Sequence, residues 1–265
     1  MILVQERLAV DDVATTLGDA RATLDAKASS AGKKLFVALA LVVPGSVVLA
    51  AIAGGACFLP FVAGVIALAV YFSHRSKLNR AREKVAFAVE LWSLLRDEVH
   101  ARSLVVLDFD LRHYDESGKR TWEGKSSAGN PKSQYSDKWL RLRMTLADGT
   151  ALEVVRVAGV KTKKGAVQKE KRRLLLRMRP SPRRYRSDQL AEGSPAAKAL
   201  RDALKDSCRE FHNSPEEFAC RAASVDGALT IKVVQEDAPI LAKEVLVLLG
   251  RALLFLNELR TPESR

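Results

Sequence analysis

Asp108 and Asp110 alternate on one side of a β-rich run, and His113 follows just beyond. That grouping suits general acid–base work or a divalent cation. Alternating acids also describe the solvent side of an ordinary strand. A membrane-bound enzyme using Asp108, Asp110 and His113 is therefore an alternative reading of this chain, not the leading one. Cys208 and His212 would share a helical face at i and i+4, with Cys220 further on. A structural zinc site needs four ligands, and no fourth stands at a supporting spacing. Ala158-Gly159-Val160-Lys161 and Lys164-Gly165 are too sparse to cradle a phosphate, and the chain has neither a nucleophile elbow nor a dinucleotide fingerprint. No catalytic residue, metal ligand or cofactor is assigned, and the balance is against an enzyme.

The strongest functional feature is a concentration of charge. Lys161, Lys163, Lys164, Lys169, Lys171, Arg172, Arg173, Arg177, Arg179, Arg183, Arg184 and Arg186 stand within one segment against the single acid Glu170. That segment carries +11 of a formal net charge of +12, so the rest of the chain is close to neutral. Such clustering describes a patch or an arm that meets a polyanion. Anionic lipid headgroups would gain about 1 kcal/mol per Lys or Arg near the surface. Nucleic acid, the lesser of the two readings, also fits the charge, because phosphate contacts dominate such affinity. Tyr185 is the only aromatic in the segment, which argues against a platform for stacked bases. A bland reading, a solvated strand whose charge prevents edge-to-edge aggregation, also fits.

Several elements must carry these residues. From Leu35 to Phe72 the chain runs for 38 residues without Asp, Glu, Lys, Arg or His. One helix of that length would reach about 57 Å against a hydrocarbon core of roughly 30 Å, which predicts a transmembrane helical hairpin over 35–72 turning at Gly54-Gly55. Lys27, Lys33 and Lys34 before the run, and Arg75, Lys77, Arg80, Arg82 and Lys84 after it, put both termini in the cytoplasm. The expectation is an integral protein of a bacterial inner membrane, with the lipid bilayer as a partner. The small residues of the two arms would allow a homo-oligomer through the hairpin. An oligomeric effector or channel-like protein whose soluble domain senses a signal is the second alternative.

Around the hairpin, Val13, Leu17, Ala20 and Leu24 predict an N-terminal amphipathic helix within 1–34. Ala81, Val85, Ala88, Trp92, Leu95 and Val99 predict a juxtamembrane helix within 73–102. The remaining 103–265 reads as one cytoplasmic domain. Strand alternation appears at 105–112, 140–146, 152–157 and 174–179, hairpin signals at Asp148-Gly149 and Asp226-Gly227, and an apolar helix after Pro239. The polar stretch 117–137 reads as a long loop. Mostly antiparallel strands with segregated helices indicate an α+β fold. Taken together, the sequence predicts a membrane-anchored, non-enzymatic binding or scaffold module whose segment 161–186 contacts a polyanion.

Overall fold

Alternation of apolar and polar residues becomes strand faces in a computed structural model that describes residues 3–53, 58–116, 118–185, 194–195, 198–200, 202–204, 206, 218–225, 228–236 and 240–258. Two units are distinct: Met1–Leu17 with Phe87–Arg265, and Gly18–Ala86.

The first unit is built on an eight-stranded antiparallel sheet. Its strands are β1 (Leu3–Leu8), β2 (Val105–Asp110), β3 (Arg120–Lys125), β4 (Pro131–Thr145), β5 (Ala151–Lys163), β6 (Ala166–Arg179), β7 (Phe218–Val225) and β8 (Ala228–Glu236). They lie in the order β1-β2-β4-β5-β6-β8-β7, with β3 paired to the outer half of β4. One face of the sheet is the core face. Leu107 and Phe109, Leu140 and Leu142, Leu152 and Val154, Leu174 and Leu176, and Ile231 and Val233 are all buried there. Helix α3 (Ala242–Glu258) buries Val245, Leu248, Leu249, Ala252 and Leu256. Its first turn is closed by Glu244, whose Oε2 accepts from the Leu241 N–H at 3.1 Å, the glutamate half of a capping box. The α+β antiparallel expectation therefore holds for this unit.

The second unit consists of parts of two long helices, α1 (Val10–Ala53) and α2 (Phe58–Leu95). Ala20 and Leu24 from α1, and Leu78, Ala81 and Val85 from α2, are buried at helical spacing. Arg82 Nη2 reaches Asp25 Oδ1 at 2.7 Å and ties the two helices together. Here the structure corrects the sequence reading. Among the described residues no helix is long and apolar enough to cross a membrane. The transmembrane hairpin over 35–72 is therefore not supported, nor is the expectation of an integral inner-membrane protein with both termini cytoplasmic. Absence of charge marked the run, yet the helices that contain it do not stop at its ends. α1 also carries Asp11, Asp12, Asp19, Arg21, Asp25 and Lys27, and α2 becomes polar from Ser73 onward. Before that point Val65, Ile66, Val70 and Phe72 are each more than half exposed. The expected turn at Gly54-Gly55 lies outside the described residues, as does Cys57.

Two strands go beyond the sequence expectations. Ahead of the helix that carries Val13, Leu17, Ala20 and Leu24, Leu3–Leu8 is not plain lead but forms β1, and pairs with β2 from Leu3 opposite Asp110 to Leu8 opposite Val105. The stretch 117–137 is not a loop either, since it contains β3 and the start of β4, joined by a turn in which the Gly129 N–H donates to the Ser126 carbonyl at 2.8 Å. Every residue of β3 is exposed except the half-buried Gly124, so the strand shows no apolar alternation to read.

Candidate polyanion-binding face

Pairing register decides where each cation points, because residues directly opposite on neighbouring strands share a face. On the core face Leu152 stands opposite Met178, Val154 opposite Leu176 and Arg156 opposite Leu174. The intervening positions of β6, namely Lys169, Lys171, Arg173, Arg177 and Arg179, fall on the outer face. β5 adds Lys161 and Lys163, β8 adds Lys232 opposite Leu175, and β4 adds Lys132, Lys138, Arg141 and Arg143. A bulge between Lys138 and Leu140 lets Lys138 and Arg141 both lie on this side, while Trp139 joins the core. Lys138, Arg143, Lys161, Arg173, Arg177, Arg179 and Lys232 are exposed. Glu153, an acid on the same face, is held from both sides: Arg141 Nε donates to its Oε1 at 2.5 Å, and Arg177 Nη1 lies 3.8 Å from Oε2. At the centre Val155 and Leu175 pair directly, a small apolar patch ringed by charge.

The basic segment thus divides. Lys164 and Gly165 make the β5–β6 turn with positive φ of 52° and 78°, and Lys163 pairs with Ala166 across it. Both central residues are left-handed, as a two-residue turn that matches strand twist requires. Arg172 faces the core side and its Nε donates to Glu170 Oε1 at 3.0 Å. Arg183 and Arg184 lie past the far end of β6, in a turn that Tyr185 closes by donating its hydroxyl to Asp148 Oδ2. Tyr185 is buried, and Arg186 lies outside the described residues. Lys132, Lys138, Arg141, Arg143 and Lys232 are far from the segment in sequence and were missed. Their signal was parity: Arg141 and Arg143 alternate with Leu140, Leu142 and Met144.

An exposed aromatic also stands on this face. Trp122 of β3 is opposite Gln134, which is opposite Lys161, which is opposite Lys169. Its indole lies against Gly124, where a Cβ would overlap the ring, and the residue is 45% exposed. Trp92 and Trp139 are buried.

The other candidates resolve into structure. Asp110 accepts from Arg112 Nε and Nη2 at 3.0 and 2.9 Å and from the Arg112 backbone N–H at 2.9 Å. Lys119 Nζ lies 3.1 Å from Asp110 Oδ2, 2.6 Å from Asp137 Oδ1 and 2.9 Å from the Arg112 carbonyl. Burial pushes the Asp110 carboxyl up, but hydrogen bonds from Arg112 and Lys119 outweigh it and hold the group down at about 2. Ionised at neutral pH and bonded by two cations, this carboxylate serves as a strut. His113 Nδ1 sits 2.6 Å from Asp115 Oδ1, while Asp108 stands opposite Arg141. Asp110 and His113 thus each have a partner of their own, Arg112 with Lys119 for the one and Asp115 for the other. Among the described residues no group of three or more His, Cys, Asp or Glu could hold a metal; Cys208 and His212 lie outside them. Comparison with protein-family models, curated proteins and solved structures finds no match to any.

Proposed function

We propose that this chain is a non-enzymatic binding module whose antiparallel sheet offers its outer face to a polyanion. The observation that supports the reading is the register. It gathers cations from β4, β5, β6 and β8 on one face, where Glu153 is already neutralised by two arginines. Strands alternate their side chains every residue, so a charged sheet face is a rigid array with neighbouring strands about 4.8 Å apart. An array of this kind meets a chain of phosphates or sulfates at several points at once, and release of the ligand's counterions drives the association.

Full-length protein should bind polyphosphate and heparin, with affinity falling steeply as NaCl rises. Replacing Lys138, Arg143, Arg173 and Arg177 together by Gln should weaken binding at least ten-fold, whereas Arg172→Gln, on the other side of the sheet, should change it little. Equal loss in both variants, or no binding to either polymer at low salt, would remove the proposal.

A further inference from the structure

Trp122 makes one end of the charged face chemically different from the rest. Bulky aromatic groups on strands ordinarily turn inward; Phe109 of β2 and Trp139 of β4 are 1% and 7% exposed, but Trp122 is 45% exposed. The ring is not loose. Its six-membered ring lies against its own strand two residues along, a position open only because Gly124 has no Cβ. Across the sheet from it come Gln134 and then Lys161, with Lys132 and Lys163 paired in the adjacent row. One strand further lies Lys169. At about 4.8 Å per strand, Lys161 is roughly 10 Å from the tryptophan position.

From this we infer that the face binds single-stranded nucleic acid, with a base stacked on Trp122 and the following phosphates carried across Lys161, Lys163 and Lys169. The inference rests on the polyanion reading and names the class of ligand. Its chemistry separates the candidates. Polyphosphate has no ring to lay on an indole, a sulfated sugar offers only a puckered C–H face without π-electrons, and in a duplex the base faces are already occupied by their neighbours. An unpaired strand alone offers regular anionic charge together with free π-faces. Base–aromatic stacking is tolerant of sequence, so an array of charges with one ring fits a strand read by backbone and stacking, not by base edges. The basic segment itself supplies no such ring, because its only aromatic, Tyr185, is buried and bonded to Asp148.

The test compares wild type, Trp122→Ala and Trp122→Phe, each as the full chain, against four probes: a 20-nucleotide oligothymidylate, a 20-base-pair duplex, polyphosphate, and vesicles of anionic phospholipid. For the oligonucleotide, Trp122→Ala should weaken binding about five-fold or more and Trp122→Phe should recover much of the loss. Polyphosphate binding should be unchanged in both. Since the other two tryptophans are buried, wild-type tryptophan fluorescence should be quenched by the oligonucleotide and not by polyphosphate. Undiminished oligonucleotide binding by Trp122→Ala overturns the inference and leaves the polyanion reading standing. So does a preference for the duplex or for vesicles without quenching. Equal loss of polyphosphate binding in Trp122→Ala also overturns it, because the ring would then act through the fold. Failure of wild type to bind any of the four removes both.

Discussion

Two buried cations show how differently this fold treats charge. Lys119 is fully met by Asp110, Asp137 and a carbonyl, and with Arg112 it pins the 111–119 connection to the sheet. Removing one partner of such a knot strands the remaining charge, so Asp110→Asn should cost about 3 kcal/mol in urea unfolding at pH 7. Asp110 sits at about 2 in the folded protein against 3.8 unfolded, so its stabilisation is complete above about pH 4 and is lost as pH falls through 2. Between those values wild type should lose more stability than Asp110→Asn. Arg156 is the opposite case. Its guanidinium lies 4.5 Å from the Phe87 ring and 5.7 Å from Trp139, and Nη2 donates to the Ile240 carbonyl at 3.2 Å. Nε and Nη1 find no hydrogen-bond partner among the described residues. Burial first, then Arg172, push it down to about 9, with Glu244 opposing. The group is still cationic at neutral pH, and its charge costs stability at every pH below that value. Arg156→Met should therefore raise stability by about 1–3 kcal/mol in denaturant unfolding. None of this was visible in spacing: Asp137 is 18 residues from Lys119, and Ile240 is 84 from Arg156.

At the scale of elements, legibility followed burial on one face. β2, β5 and β6 alternate because one side is core, and Leu140, Leu142 and Met144 made the inner half of β4 equally plain. β3 and the outer half of β4 have little buried surface on either side, so composition made them look like loop. Only hydrogen bonding to neighbours makes them strands. β1 was hidden for another reason: six residues between the chain start and a long helix carry little pattern until β2 is there to pair with. The β5–β6 turn is the element most sensitive to one residue. At Gly165, with φ of 78°, a β-branched side chain meets the backbone, so Gly165→Val should cost about 1–2 kcal/mol, read as a lower thermal midpoint. Arg82→Ala removes an ion pair whose partners are about half exposed and should change stability by less than about 1 kcal/mol.

At the scale of the whole molecule, charge is organised by the sheet and not by the sequence segment. For a single strand each neutralised phosphate contributes about 0.7 to the salt slope, so the variant lacking Lys138, Arg143, Arg173 and Arg177 should show a log K against log [NaCl] slope shallower by up to about 3. Anisotropy titrations from 50 to 300 mM NaCl would read it. The same scale explains the error over 35–72. A charge-free run by itself suggests two self-contained spans, whereas the helices containing it continue into polar stretches and pair through Asp25 and Arg82.

By itself the sequence determined the antiparallel α+β domain, its inward-facing residues and the presence of a strongly basic segment, because apolar periodicity and local charge are properties of neighbouring residues. Tertiary structure alone decided which cations share a surface. Face membership depends on strand register and on the bulges at Lys138/Leu140 and Lys161/Thr162, which are set by pairing between segments far apart in the chain. It took Arg172 away from the face, brought in Lys138, Arg141, Arg143 and Lys232, and set Trp122 beside the lysines.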